Sequence, residues 1–256
     1  MFNIEDFDIK LNTDFIGRNF IYTDEVDSTN STLLNTKEFR KNGTVLLSEF
    51  QKKGRGRKDR YWVSTSGQNL TFSILLLSNL TNKSINLLNL GSSLALAQTL
   101  ENLFQLHVKL KWPNDVLINN KKISGILLES TSKGNKIEKI VIGVGINVNQ
   151  ASFQGEFNLP PTSVRLEFKH EVSRERILSE YLNNFEQIFA ASSKNSGKIL
   201  NDWKSRCDMI GKSISIIENN QKKFGVFEDI DEQGYLLLQK NNKIEKISFG
   251  DVSLVN

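Results

Sequence analysis

The stretch Gln51-Lys52-Lys53-Gly54-Arg55-Gly56-Arg57-Lys58-Asp59-Arg60-Tyr61-Trp62 governs how the rest of the chain is interpreted. It holds six basic side chains and one acidic one, and two glycines between the basic residues let the backbone approach a ligand closely. The segment is too charged for a buried strand, so it predicts a mobile loop that carries positive charge to an anion. By itself such a run is equally typical of a solvated surface or a nucleic-acid patch.

Apolar runs flank this loop, Thr44–Leu47 before it and Leu70–Leu77 after it. Both runs predict core strands. The loop is therefore expected to stand on a rigid sheet, which suits a site that closes over a substrate.

The composition is that of a soluble globular protein. The 256 residues are 38% hydrophobic and 24% charged, enough for one large and one small domain. The net charge of +4 favours a local anionic ligand over wrapping by a polyanion. The chain shows neither a signal-peptide pattern nor an apolar run of about 18 residues, so a cytoplasmic protein without membrane contact is expected.

Residue counts argue against three kinds of site. Cys207 is the single cysteine, which excludes an internal disulfide. With His107 and His170 as the only histidines, a Cys/His zinc site has too few ligands. Neither histidine has a nucleophile motif nearby, which argues against a Ser-His-Asp triad.

A second unusual stretch is Lys109-Leu110-Lys111-Trp112-Pro113-Asn114-Asp115-Val116-Leu117-Ile118, in which Pro-Asn-Asp interrupts a strand-like pattern. A plain bulge or turn explains the interruption but not the residues before it. A Lys and an Asp on either side of a strand break can hold a phosphate and its metal ion.

Two further places leave a structural and a functional interpretation open. Ser28-Thr29-Asn30 can cap a helix over Ser31–Arg40, or can bind a polar ligand group at its N-terminus. Gly143 and Gly145 leave one face of a predicted strand bare, either for a flat ligand or for close packing.

Helical periodicity is strong in Ser84–Gln105 and Ser173–Ser192 and weaker in Ile199–Arg206. From Gly211 onward short strands alternate with turn residues, which predicts a small all-β barrel. The chain is thus divided into a main domain, residues 1–208, and a C-terminal domain, residues 209–256. The predicted barrel strands are Ser213–Ile217, Phe224–Phe227, Tyr235–Leu238 and Lys243–Ile247.

Together these motifs resemble the biotin protein ligases, from about residue 20 to the C-terminus and in that family's order. The pairing of Gly54-Arg55-Gly56-Arg57 with Lys111-Trp112-Pro113-Asn114-Asp115 is specific, whereas either motif alone is weaker. The resemblance implies an α+β fold: a mixed β-sheet flanked by helices, as in class II aminoacyl-tRNA synthetases, with an SH3-like C-terminal barrel. The other matching pieces are Ser28-Thr29-Asn30, Gln51, Trp62, Lys122–Glu129 and Gly143–Asn147.

The resemblance implies a reaction in two steps. Biotin attacks the α-phosphate of ATP, with Mg²⁺, to give biotinyl-5′-AMP and pyrophosphate. A lysine of a biotin carboxyl carrier protein, an acetyl-CoA carboxylase subunit, then attacks the mixed anhydride. Two anions must meet in the first step, so the site needs cations, and a closed loop keeps water from the anhydride.

The resemblance also implies roles for residues. Asp115 is expected near phosphate-bound Mg²⁺ or the incoming lysine, Trp62 beside the nucleotide and Asn147 against the adenylate. The expected catalytic residues are Arg57, Lys111, Asp115 and Lys122. The expected biotin- or adenylate-binding residues are Ser28, Thr29, Asn30, Gln51, Gly54, Arg55, Gly56, Arg57, Trp62, Lys122, Gly125, Gly145 and Asn147.

The chain departs from the family pattern in two ways. Some members carry an N-terminal winged helix-turn-helix that represses transcription, whereas here the ligase pattern begins near residue 20, so no sequence-specific DNA binding is expected. Asp59 stands where the loop commonly has Gly, which is expected to stiffen the loop or alter its closing. The sequence leaves a homodimer open.

Two other functions compete with this one. The nearer is a lipoate or octanoate ligase or transferase on the same fold, which binds a linear acyl chain and is expected to have a different loop. The other is a nucleic-acid-binding module, which predicts salt-sensitive binding without ATP. The predicted barrel lacks an aromatic stacking row, which argues against the second.

Overall fold

The computed structural model describes residues 1–36, 38–39, 41–58, 60–77, 82–133, 136–192, 195–218 and 221–255. Seven strands form the main sheet: β1 Phe20–Val26, β2 Val45–Gln51, β3 Leu70–Leu76, β4 Val108–Lys111, β5 Asp115–Ile118, β6 Lys121–Lys133 and β7 Lys136–Ile146. Their order is β1-β2-β3-β7-β6-β5-β4. β1 pairs parallel with β2 and the other neighbours pair antiparallel, which confirms the mixed sheet.

Helices cover both faces of this sheet. They are α1 Ile4–Lys10, α2 Thr29–Asn35, α3 Asn82–Phe104, α4 Val164–Phe168, α5 Arg174–Ser192 and α6 Ser196–Lys204. The two long helices begin and end within two residues of the predicted bounds. The predicted helix Ser31–Arg40 is shorter, ending at Asn35, and Arg40 lies outside the described residues.

The apolar run of strand β3 does not alternate with polar residues, because both faces of the strand are covered. Phe72, Ile74 and Leu76 face the main core beneath α3 and α5. Leu75 faces a second cluster around α2, together with Leu33. A strand covered on both faces needs apolar residues in both registers.

A buried ion pair ties α5 to β2. Arg174 at the start of α5 makes two hydrogen bonds to the Glu49 carboxylate, 2.7 and 2.9 Å long, and both side chains are at most 7% exposed. Tyr22 Oη and the backbone N–H of Gly67 also donate to this carboxylate. Since Gly67 belongs to the segment that leads back into β3, this cluster fixes both ends of the long β2–β3 connection.

The C-terminal part forms a five-stranded antiparallel sheet, as expected for an SH3-like domain. Its strands are β8 Ser213–Glu218, β9 Gln221–Ile230, β10 Leu236–Lys240, β11 Lys243–Ile247 and β12 Asp251–Leu254, in the order β11-β10-β9-β8-β12. The sequence predicted the first four of these strands and missed β12. The Asn241-Asn242 turn has positive φ at both residues, whereas the predicted Asn219-Asn220 turn lies outside the described residues.

This sheet docks directly on the main domain. Trp112 Nε1 donates to the carbonyl of Gly234 over 3.1 Å. Lys204 pairs with Asp229 at 2.7 Å. Among the described helices, none is long and apolar enough to cross a membrane.

Candidate active site

A cavity of about 920 Å³ opens between the main sheet, the glycine-arginine loop and the C-terminal sheet. Of the residues predicted for the site, only Gly54 is not in its lining. Gly54 lies at the neck of the loop, where its carbonyl accepts from Trp62 N–H and an added Cβ would meet Trp62 O at 2.3 Å. The lining residues predicted from sequence are Ser28, Thr29, Asn30, Gln51, Arg55, Gly56, Arg57, Trp62, Lys111, Asp115, Lys122, Gly125, Gly145 and Asn147.

The N-terminus of α2 serves both the structure and the cavity. Ser28 is the N-cap, with its Oγ accepting from Ser31 N–H over 3.5 Å. The Gln51 carbonyl oxygen accepts from Thr29 N–H (2.7 Å) and Thr29 Oγ1 (3.0 Å). No described residue accepts a hydrogen bond from the Gln51 amide nitrogen. The capping interpretation is therefore correct, and the same residues present polar groups to the cavity.

Asn30 is held by the protein itself. Its Nδ2 donates to Leu127 O and Glu129 Oε2, and its Oδ1 accepts from Ser73 Oγ. An added Cβ at Gly143 would lie 2.3 Å from Asn30 Oδ1. Here the close-packing interpretation of Gly143 is correct, because the side chain that covers it comes from α2.

The bare face at Gly145 is covered by an aromatic ring of the loop. An added Cβ at Gly145 would lie 2.2 Å from Trp62 Cε2, and one at Gly125 would lie 3.4 Å from Trp62 Cζ3. Within the described residues, the buried Trp62 Nε1 has no hydrogen-bond partner. The glycines therefore admit a flat group onto the sheet, and in this structure that group is Trp62.

Two lysines and a carboxylate line the far side. Lys122 Nζ lies 2.5 Å from Asp115 Oδ1, and Lys111 is the register partner of Asp115 across β4 and β5. Burial lowers the pKa of Lys111, against the opposing attraction of Asp115. An added Cβ at Gly125 would come 3.2 Å from Lys122 Nζ, so that glycine makes room for the ammonium group.

Asn147 closes the floor of the cavity. Its Nδ2 donates to Thr162 O over 3.0 Å and its side chain is buried. The Lys122 backbone pairs with Pro160 O and Thr162 N on the same segment. The segment that follows β7 is thereby joined to the strand that carries Lys122.

The loop contacts the C-terminal domain, which the sequence did not predict. Arg57, Lys58 and Arg60 all pair with Asp251 at the start of β12. Arg57 also donates to Gly250 O and to Asn114 Oδ1. Burial lowers the pKa of Arg57, although the nearby carboxylates oppose this.

Comparisons with known proteins agree with the geometry. The Biotin/lipoate A/B protein ligase family matches residues 22–147, and the Biotin protein ligase C terminal domain matches residues 209–255. The Biotin--[acetyl-CoA-carboxylase] ligase of Paracoccus denitrificans is 31% identical over 83% of this chain and 91% of its own length. The chain belongs to the biotin protein ligase family.

Two further relatives of the family extend this comparison. The Bifunctional ligase/repressor BirA of Bacillus subtilis is 31% identical over 95% of this chain and 76% of its own length. The biotin protein ligase from Aquifex aeolicus, solved in complex with biotin and ATP, superposes with a TM-score of 0.79 at 31% identity, covering 93% of this chain and 99% of that one.

Two parts of the cavity wall were not predicted from the sequence. One is the segment Phe153–Leu159, whose residues line the mouth but show no periodic pattern. The other is the C-terminal contribution of Ile217 and Asp251–Ser253. Glu129 was placed on its strand without a role, and it pairs with Arg55 at 2.9 Å.

Among the described residues, no group of three His, Cys, Asp or Glu side chains is placed to hold a metal ion. Asp115 is the carboxylate nearest the two lysines and is already paired with one of them. Mg²⁺ typically keeps its waters and binds through substrate phosphates with one or two carboxylates. The side chains present therefore fit Mg²⁺ that enters with ATP.

Proposed function

We propose that this protein activates biotin with ATP as biotinyl-5′-AMP and transfers the biotinyl group to a lysine of a biotin carboxyl carrier protein. One observation carries the proposal: a single cavity combines the polar N-terminus of α2, a bare glycine face and cations from two separate motifs. Uncharged polar groups at one end suit a neutral ring system. Cations at the other end suit phosphates.

The cations account for the first step. A biotin carboxylate oxygen attacks the α-phosphorus, the bond to the bridging oxygen breaks, and pyrophosphate leaves with the electron pair. Arg57, Lys111 and Lys122 neutralise the approaching anions and the charge on the leaving group. Mg²⁺ that enters with ATP would neutralise further negative charge on the phosphates.

The second step needs no nucleophile from the enzyme. The carrier lysine amine attacks the carbonyl carbon of the anhydride, the C–O bond to the phosphate breaks, and AMP leaves with the electron pair. The proton that the amine loses as the amide forms passes to the Asp115 carboxylate. Asp115 is the proposed group near the incoming amine, and it becomes available when Lys122 turns toward the phosphate. Trp62 and the loop shield the anhydride from water.

The test is pyrophosphate release on mixing the protein with Mg·ATP and biotin, with lipoate and octanoate in parallel. Biotin-dependent release supports the proposal, and release with lipoate or octanoate alone assigns the chain to the sister activity. Adding an isolated carrier domain and detecting its biotinyl group by mass then tests the transfer step. Release of pyrophosphate without any labelled carrier contradicts the second half of the proposal.

Three narrower expectations stay predictions. Dimer formation is checked by the sedimentation coefficient of the purified chain. The Mg²⁺ requirement is checked by pyrophosphate release in the presence of a chelator. The expected lack of sequence-specific DNA binding is checked by a salt titration against duplex DNA, in which only weak, sequence-independent binding should appear.

A further inference from the structure

Three basic side chains of the loop converge on one carboxylate of the C-terminal domain. Lys58 Nζ lies 3.3 Å from Asp251 Oδ2, Arg57 Nη1 lies 3.6 Å from Oδ1, and Arg60 Nη2 contacts Oδ2 directly. Two backbone carbonyls add to this contact. Gly250 O accepts from Arg57 over 3.0 Å and Ile217 O accepts from Lys58 over 2.9 Å.

The cluster differs from an isolated surface ion pair. Exposed pairs contribute little because water screens them, but here the Asp251 side chain is only 25% exposed and that of Arg57 only 21%. One carboxylate against three cations leaves an excess of two positive charges. This excess lies at the cavity mouth, since Arg57, Arg60 and Asp251 all line it.

Among the described carboxylates near the cavity, two are paired with other cations, and Glu156, which lines the mouth, makes no ion pair with the cluster. Asp115 pairs with Lys122, and Glu129 pairs with Arg55. Neither makes an ion pair with the three cations that meet at Asp251. An anion with several charges is therefore the ligand that the cluster fits.

We propose that Asp251 is a positioning residue that gathers Arg57, Lys58 and Arg60 before substrate arrives, so that they form the binding face for the outer phosphates of a nucleoside triphosphate. The proposal rests on the proposed function of the same cavity. It assigns the C-terminal domain a part in the first step, through a residue that touches the loop and not the reacting atoms.

Asp251→Asn keeps the side-chain shape and removes the charge. The three cations then repel one another without a counter-charge, and the loop leaves the C-terminal sheet. ATP must order the loop on binding, so the KM for ATP should rise about tenfold, which corresponds to the loss of one charge-assisted contact. The KM for biotin should stay within twofold, because Ser28, Thr29 and Gln51 do not contact the cluster.

Asp229→Asn is the matched control. It removes another carboxylate of the C-terminal sheet that pairs with a lysine of the main domain, Lys204, away from the cavity. Trypsin cleavage of the ligand-free loop, followed by mass spectrometry, should be faster in Asp251→Asn than in the wild type and unchanged in Asp229→Asn. Asp251→Glu, which keeps the charge, should restore both the cleavage rate and the KM for ATP.

Several outcomes overturn the proposal. A KM for ATP within twofold of the wild type, with unchanged loop cleavage, removes the positioning role. A lower KM shows instead that the carboxylate competes with phosphate. If Asp251→Asn fails to fold, Arg60→Gln tests the same cluster, and an unchanged KM for ATP there is equally contrary.

Failure of the proposed function is a separate result. If the wild type releases no pyrophosphate with biotin, the proposed ligase function is wrong. Loop cleavage and calorimetric binding of Mg·ATP alone still report on Asp251, since neither measurement needs biotin. Equal ATP affinity in the wild type and Asp251→Asn then overturns the positioning role by itself.

Discussion

Lys122 offers the most direct test of the site at the scale of single residues. Lys122→Met keeps the side-chain stem beside Gly125 and removes the charge that faces Asp115. Biotin-dependent pyrophosphate release should fall about 10²- to 10³-fold, as for the loss of other groups that stabilise developing charge. Lys121→Met, at the exposed neighbouring position, should retain the wild-type rate. An unchanged rate with a lower melting temperature would make Lys122 structural.

Lys111 should limit activity on the alkaline side. Burial lowers its pKa, so the ammonium group loses its proton at a lower pH than an ordinary lysine. If the charged form is required, the rate should decline with rising pH before about 10.4, the ordinary value. Lys111→Arg stays charged and should move the alkaline limb of the pH–rate profile upward. If the alkaline limb of the pH–rate profile lies at the same pH in the wild type and in Lys111→Arg, Lys111 is excluded as the titrating group.

The contact between Gly145 and Trp62 can be tested by a double-mutant cycle. Gly145→Ala places a methyl group within van der Waals overlap of the indole, so it should destabilise the fold by about 1–3 kcal/mol or displace the ring. Adding Trp62→Ala should relieve the overlap, which makes the two effects non-additive. Gly197→Ala, where an added Cβ meets nothing within 4 Å, is the control. Additive free energies of unfolding would contradict the packing.

At the scale of elements, the Glu49–Arg174 pair holds α5 against β2. Arg174→Met should lower the free energy of unfolding by about 3–5 kcal/mol, because it leaves a buried carboxylate without its counter-charge. Arg176→Met, at an exposed position in the same helix, should change it little. Urea unfolding of the three proteins measures both effects.

The pH dependence of this pair has a definite sign. Burial by itself raises the pKa of Glu49, but hydrogen bonds and the charge of Arg174 hold it below its usual value. The pair therefore stabilises the fold fully above the usual glutamate pKa, and this contribution is lost as pH falls through the lowered value. The difference between wild type and Arg174→Met should shrink in acid. A constant difference down to about pH 3 would contradict this origin, since an ordinary glutamate is protonated there.

The sequence predicted elements well where their pattern is long and periodic. Asn82–Phe104 and Arg174–Ser192 repeat apolar residues over several turns, and both were located within two residues. Helix α1 was missed because Phe7 is its only buried residue. β12 was missed because it has four residues, of which only Val252 is buried. Short elements with one buried side chain carry no periodic signal.

The candidate site, too, was predicted from the sequence only in part. Residues such as Arg57 and Lys122 were predicted from the resemblance of their motifs to the biotin protein ligases, since the local pattern alone makes Lys122 an ordinary lysine at a strand end. The contact between Arg60 and Asp251 joins residues 191 positions apart, and no local pattern encodes it. The sequence predicted a bare face at Gly145 but not that Trp62 packs on this face, because the sequence does not show which group lies there.

At the scale of the whole molecule, the two domains meet through two different kinds of contact. One kind is ionic: the charged cluster at the cavity mouth and the Lys204–Asp229 pair away from it. The other is buried: Trp112, next to Lys111 at the strand break, donates its indole N–H to Gly234 O. Gly234 has φ +82°, and an added Cβ there would meet Asn86 of α3 at 3.0 Å. The strand break thus supports the domain interface as well as the site.

Trp112→Phe tests this second contact. It keeps an aromatic ring in the interface but leaves the Gly234 carbonyl unpaired, which should cost about 1–3 kcal/mol of unfolding free energy. Trp203→Phe is matched to it, since Trp203 Nε1 donates to Ser93 within the main domain. Both variants should lose stability, but only Trp112→Phe should speed hydrogen exchange across β8–β12 below the global unfolding limit, because only that variant loosens the docking of the C-terminal sheet. Equal exchange in the two variants would show that the sheet stays docked without this hydrogen bond.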